Sequence, residues 1–297
     1  MREIRTDLVC EARELWREAS PDVDMPGVTA DEKEVQGFKV TTVDVTTGEG
    51  EKAVGKPVGR YITIDIEDYL KREEDGFSRA VKALAGELSR LFSNRDGTVL
   101  VAGLGNPDIT PDAVGPIAVK NTMVTLHLVE QMPETFSGFK KVAAISPGVL
   151  AVTGIESARL IRAAAKESDA CTVIVVDALA SRKLSRLCRT VQISNTGITP
   201  GSGVGNSRQE ISMKTIGVPV ISLGVPTVVD AKTLAADLME NNGKKSVPED
   251  FSGFGSEMMV TPREIDKCVA DVGKLIGYGI NVAIQGIGVD DVTMFIE

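Results

Sequence analysis

A chain of 297 residues, 42% of them apolar, is long enough to bury one large α/β domain or two small ones. Its 42 acidic against 33 basic side chains leave a net charge of -9, which opposes a phosphate-backbone footprint, so a direct nucleic-acid partner is not expected. Cys10, Cys171, Cys188 and Cys268 have no C-x-x-C spacing, the N-terminus has no unbroken apolar run, and no stretch of ~18 uncharged residues reads as a spanning helix; a cytoplasmic protein with reduced thiols and no membrane partner is expected.

In chain order, residues 1–37 carry an amphipathic stretch from Leu8 to Trp16 and then the breakers Ser20-Pro21 and Pro26-Gly27, which predict a peripheral arm with one helix. Period-two alternation from Phe38 and again from Tyr61 predicts a β-hairpin or two edge strands over 38–66. Val81, Leu84, Leu88 and Leu91 then stand at helical spacing. Four short apolar runs follow, starting at Thr98, Lys141, Cys171 and Pro219, with helical segments over 115–131 and 156–167. Runs with so little polar alternation are strands covered on both faces, and their alternation with helices predicts an α/β fold with a mostly parallel sheet flanked by helices. The segment 241–257 reads as a surface loop, and Thr261-Pro262-Arg263-Glu264 as a hydroxyl-capped helix start.

Ligands of open parallel sheets bind beyond the carboxyl ends of the strands, and two of those ends carry aspartates. The first run leads through Gly103-Leu104-Gly105-Asn106 to Asp112 at a helix start; the third ends directly in Asp177. Asp177 follows six residues suited to burial, so it is either a structurally hydrogen-bonded group or a catalytic one. Asp112, behind Thr110 and Pro111, is by itself an ordinary helix-start acid. Together, on neighbouring parallel strands, the two would reach one sheet edge and share a water, and two acids in one site cannot both ionise easily. One acid beside one base is what activating water on a peptide bond without a metal requires. The sole histidine, His127, falls inside a predicted helix, Gly103-Leu-Gly105 lacks the third glycine of a dinucleotide fingerprint, and the loop Gly201-Ser-Gly203-Val-Gly205-Asn206 lacks a P-loop lysine. That loop reads as a plain connection or as one facing substrate.

These residues resemble the germination protease family of endospore-forming bacteria. The matching strings include Arg5-Thr-Asp-Leu, Gly103-Leu-Gly-Asn, Thr110-Pro-Asp-Ala-Val-Gly-Pro, Asp177-Ala-Leu-Ala-Ser-Arg, the run from Gln192 to Asn206, and Met259-Val-Thr-Pro-Arg-Glu, and they cover nearly the whole chain. The resemblance implies an endopeptidase of the spore core that starts the degradation of small acid-soluble spore proteins, needs no cofactor or metal, and forms a homotetramer. It carries catalytic roles onto Asp112 and Asp177 and substrate contacts onto Gly105, Asn106, Arg182, Gly203 and Gly205. It also implies a self-processing zymogen. The family cuts after an acidic residue and before a bulky apolar one, which here selects the bond between Asp7 and Leu8, making 1–7 a propeptide and 8–297 one peptidase domain. Charged terminal arms with few packing partners fray readily and can reach an active site.

The turn from Gly103 to Asp112 is also similar to that of the hydrogenase maturation peptidases, which hold nickel through two acids and a histidine on a later loop, a histidine this chain does not offer. A small-ligand binding module at the same sheet edge is the non-enzymatic alternative, and it would need neither acid for chemistry.

Overall fold

The structure is a computed structural model that describes residues 6–20, 25–70, 75–93, 97–241 and 258–296. Helix α1 (Val9–Ala19) is followed by strands β1 (Val28–Val35) and β2 (Phe38–Val45), α2 (Gly48–Val54), β3 (Gly59–Asp65), α3 (Glu67–Leu70) and α4 (Gly76–Ser89). The middle of the chain runs through β4 (Thr98–Gly103), α5 (Val114–Lys120), α6 (Leu126–Gln131), α7 (Pro133–Phe136), β5 (Val142–Ile145), α8 (Leu150–Thr153), α9 (Ser157–Glu167), β6 (Ala170–Ala180) and β7 (Thr190–Ser194). Then come α10 (Met213–Ile216), β8 (Val220–Asp230), α11 (Ala231–Asn241), β9 (Met259–Val260), α12 (Ile265–Gln285) and α13 (Val289–Ile296).

The strands join in one sheet of order β1-β2-β3-β7-β8-β6-β4-β5, with β9 attached to β8. Pairing is parallel from β5 through β4 and β6 to β8. It is antiparallel from β8 through β7, β3 and β2 to β1. The α/β class therefore holds, but the sheet is mixed rather than mostly parallel, because the expected 38–66 hairpin joins the central sheet in antiparallel pairing, with β1 as a further strand beside it. Burial explains which strands pair in parallel: every residue of β4 is buried, and β6 and β8 are nearly so, as strands covered on both faces must be. The run at Val142 departs from the expected pattern. As β5 it lies at the sheet edge and only Val142 is buried.

One face of the sheet carries Val99, Val101, Ile174, Val176, Ile221 and Leu223 and is covered by α4, α5 and α12. On the other face Leu100, Ala102, Val173 and Val175 meet α9 and α10. The N-terminal segment is not a loose arm: Leu8 and Val9 have no exposed surface, and Val9 packs with Val43, Val45 and Tyr61. The helix expected over 115–131 is interrupted between α5 and α6. Asn281 of α12 accepts from the Met123 amide at 2.8 Å and donates to the Asn121 carbonyl at 2.9 Å, which satisfies the backbone freed by the break. The expected cap at Thr261 does not form either. Its hydroxyl donates to the Thr227 carbonyl at 2.9 Å, and α12 starts four residues later behind Glu264. Apart from Asn241, the loop expected over 241–257 lies outside the described residues. Among the described residues no single helix is long and apolar enough to cross a membrane.

The start of α5 is pressed onto the ends of β4 and β6, and this contact decides where Asp112 stands. A Cβ on Gly115 would lie 2.2 Å from the Leu104 carbonyl oxygen and 2.6 Å from that of Val176, all backbone that cannot swing aside. Gly115→Ala is therefore expected to lift the helix and cost about 1–3 kcal/mol by overpacking, read as a fall in the urea midpoint. Wild-type stability in that variant would mean the helix is not seated as described.

Candidate active site

Asp177 terminates the most buried stretch of β6 and is itself 5% exposed. It faces Gly224 of β8 in register, and Gly224 in turn faces Gln192 of β7, so an acid and an amide stand on one row with a residue lacking a side chain between them. Two strand spacings separate their backbones by roughly 10 Å. Asp177 Oδ1 accepts from the Ala178 amide at 3.0 Å. Burial holds its carboxyl well above the usual aspartate range, the neighbouring charges of Asp112 and Asp7 add to the rise, and the Ala178 N–H opposes it.

Asp112 closes a single 3-10 turn, Thr110–Asp112, between β4 and α5. Its Oδ2 accepts from the Asn106 amide at 2.8 Å. Gly105 makes that turn possible: its φ of +105° is open to glycine, and a Cβ there would strike the Asp112 carbonyl oxygen at 1.9 Å. Burial raises the Asp112 carboxyl and the Asn106 N–H pulls it back. The two aspartates thus sit in unlike surroundings, Asp177 dry and raised by its neighbours' charges, Asp112 less buried and held by a donor.

A third aspartate reaches the same edge. Asp7 donates its amide to the Ala180 carbonyl at 3.0 Å and accepts from the Ala180 amide through Oδ2 at 2.9 Å. Its Oδ1 accepts from the Ser202 hydroxyl at 2.7 Å. The Asp7 carbonyl accepts from Gln192 Nε2 at 3.3 Å, while Gln192 Oε1 accepts from the Val9 amide at 2.8 Å. One glutamine side chain therefore spans the Asp7–Leu8 bond. Leu8 is enclosed by Cys10, Leu179 and Ile198. Thr6 is tied to the body as well: its hydroxyl donates to the fully buried Glu11 at 2.5 Å, and Glu11 also accepts from the amides of Arg182 and Lys183 at 2.6 and 3.1 Å. The described end of the 1–7 segment is held by a dense set of hydrogen bonds and does not fray.

Of the residues expected to contact substrate, Gly203 does face Asp7: a Cβ there would stand 2.1 Å from Oδ2. Gly105 and Asn106 act on Asp112, with Asn106 Oδ1 occupied by the Asp108 amide at 3.0 Å. Arg182 is not presented to a ligand. Its side chain is 4% exposed and its guanidinium donates to both carboxylate oxygens of Glu18, at 3.3 and 3.1 Å, docking α1 instead. Gly205 is an exposed turn residue ending a 3-10 segment at φ +72°. Gln192, Ser202, Lys56 and Glu11 were not singled out from sequence; the available signal for Gln192 was an amide inside the apolar alternation Val191-Gln-Ile193. His127 lies exposed on α6. Among the described residues no group of three or more His, Cys, Asp or Glu side chains is arranged to hold a metal ion.

Comparison with known proteins places this geometry in context. Residues 6–241 match the family described as germination protease. The germination protease of Caldanaerobacter subterraneus subsp. tengcongensis is 45% identical, over 95% of this chain and 94% of its own. That of Clostridium perfringens is 42% identical over the full length of both, and that of Bacillus subtilis 35% identical over 95% and 93%. A solved [NiFe] hydrogenase maturation protease of Thermococcus kodakarensis aligns over 65% of this chain and 98% of its own at 15% identity, with a TM-score of 0.35, too loose a likeness to support an argument.

The raised carboxyl of Asp177 has a consequence for stability. A group whose folded pKa lies above its unfolded value contributes fully below the unfolded pKa and loses that contribution as pH rises through the folded one. Asp177→Asn keeps the volume and the acceptor for Ala178 but cannot ionise. Its thermal midpoint is expected to exceed that of the unsubstituted chain at neutral pH, with the gap closing as pH falls toward 4. A gap that is constant with pH would show that Asp177 titrates normally.

Proposed function

Since this chain belongs to the germination protease family, we propose that it is an aspartate-dependent endopeptidase, made as a zymogen that cuts its own Asp7–Leu8 bond and then acts on small acid-soluble spore proteins. The observation that carries this reading is the peptide bond after Asp7, held by Gln192 on the same row as Asp177. Action in the spore core and assembly as a homotetramer belong to the proposal and rest on the family alone.

The unlike surroundings of the two acids suggest their roles. Asp112, accepting from Asn106, works as the carboxylate base; Asp177, dry and near other acids, keeps its proton. Asp112 takes a proton from water as the water oxygen bonds to the Asp7 carbonyl carbon, and Asp177 gives its proton to the carbonyl oxygen. As the C–N bond breaks, the proton on Asp112 passes to the Leu8 nitrogen, and one hydroxyl of the tetrahedral carbon returns its proton to Asp177. Atoms and charges balance with water as the co-reactant. The Gln192 N–H lies on the carbonyl oxygen throughout, where negative charge develops.

The hydrogenase maturation reading requires nickel, which prefers nitrogen and sulfur donors to a purely carboxylate pair. Chelator is therefore expected to leave peptidase activity unchanged; inhibition reversed by nickel would favour that alternative.

Asp112→Asn and Asp177→Asn should each lower the cutting rate by at least about 10²–10⁴-fold with the fold retained. N-terminal sequencing after incubation at mildly acidic pH should find Leu8 in the unsubstituted chain and an uncut start in Asp177→Asn. Normal cutting in either variant, or cutting at another bond, defeats the mechanism.

A further inference from the structure

Gln192 uses both ends of one carboxamide on the N-terminal segment. Its Nε2 donates to the Asp7 carbonyl at 3.3 Å and its Oε1 accepts from the Val9 amide at 2.8 Å. The two contacts fix which end is which, because a carbonyl only accepts and a backbone N–H only donates. They fall on either side of residue 8, and the backbone there makes this possible. Leu8 is extended, with φ -81° and ψ 124°, so the carbonyl before it and the amide after it point the same way, as alternate groups of a strand do. The Leu8 amide itself is met by the Thr6 hydroxyl at 3.1 Å and makes no demand on Gln192.

A cap for α1 is the simpler role, since the amide of its first residue, Val9, has no partner within the helix. A cap needs only an acceptor, and a carboxylate would complement the helix N-terminus better than an amide does. Gln192 supplies a donor as well and aims it at the carbonyl of the bond after Asp7, from the row it shares with Gly224 and Asp177. The side chain lines a cavity of about 220 Å³, so packing on that side does not lock it and its aim depends on the hydrogen bonds it makes.

We propose that Gln192 is a positioning residue that works from beyond the cut. By holding the amide of Val9 it turns its own N–H onto the Asp7 carbonyl, so that efficient self-cutting requires a backbone N–H at residue 9. The assignment rests on the reading that Asp7–Leu8 is the self-processing bond.

Val9→Pro in the full-length chain removes that N–H at a site that suits proline. Proline is favoured at the first position of a helix, and Leu8 before it already has the extended backbone proline demands. Cutting is followed at mildly acidic pH by N-terminal sequencing, with thermal midpoints measured on the uncut chains. Val9→Pro should form the Leu8 start about five- to a hundredfold more slowly than the unsubstituted chain, the effect of leaving one buried acceptor unmet. Gln192→Met should be at least as slow, and adding Val9→Pro to it should slow it no further, since both remove the same hydrogen bond. Gln192→Glu keeps the acceptor, so it should still lose rate to Val9→Pro, and this background serves if Gln192→Met does not fold or does not cut. A Val9→Pro chain that cuts at the unsubstituted rate overturns the assignment, whatever its thermal midpoint, because a helix cap alone predicts a loss of stability with the rate unchanged. An equally large loss from Val9→Pro beside Gln192→Met, or none beside Gln192→Glu, overturns it too. A start other than Leu8 in the unsubstituted chain defeats the processing reading and the assignment with it, whereas a Leu8 start formed at unchanged rates in the variants defeats the assignment alone.

Discussion

The burial of Asp177 at the end of an apolar strand constrains most of what surrounds it. A carboxylate removed from water is unfavourable unless donors or a cation meet it, and here one amide hydrogen bond is opposed by two neighbouring acids. Burial and those acids favour the protonated form, and a neutral Asp177 would let a second carboxylate stand close. The packing that enforces this is local: α5 pressed against β4 and β6 through Gly103 and Gly115 brings Asp112 to the edge where Asp177 ends.

The antiparallel half of the sheet has a different task. By placing β7 beside β8, it sets Gln192 opposite Gly224 and hence on the Asp177 row. The glutamine then holds the backbone on both sides of residue 8, while Ala180 and Ser202 hold the side chain of residue 7. In the proposed reading the N-terminal segment lies in the site as a substrate would, with Glu11 fastening Thr6 on one side and the Arg182–Lys183 turn on the other. A segment so placed would exclude other peptides until it is cut, which is a physical account of a zymogen that needs no separate inhibitory domain.

The same anchoring explains why Arg182 is a positioning residue. α1 carries Glu11, Glu14 and Glu18 toward Arg182, Lys183 and Arg186, and these pairs cover the turn directly after β6. With Arg182 nearly sealed from water, its charge is committed to Glu18. Exposed ion pairs are worth little individually, but Glu11 is fully buried, and its acceptors satisfy two main-chain amides that would otherwise be left unpaired.

Periodicity and composition by themselves determined the α/β class, the three fully covered strands, the helices at α1, α4 and α9, and the two aspartates at strand ends, because burial on both faces demands unbroken apolar runs and an acid ending such a run is conspicuous. They could not determine that the 38–66 strands join the central sheet through β7, the break after α5, or the uncapped start of α12. Those depend on partners distant in sequence: Asn281 for the break, the Thr227 carbonyl for the lost cap, and β8 for β7. The placement of Asp7 lay beyond them for the same reason. A charged residue near a chain terminus has the local signature of a frayed tail, and only the folded chain brings Ala180, Gln192 and Ser202, more than 170 residues away, around it.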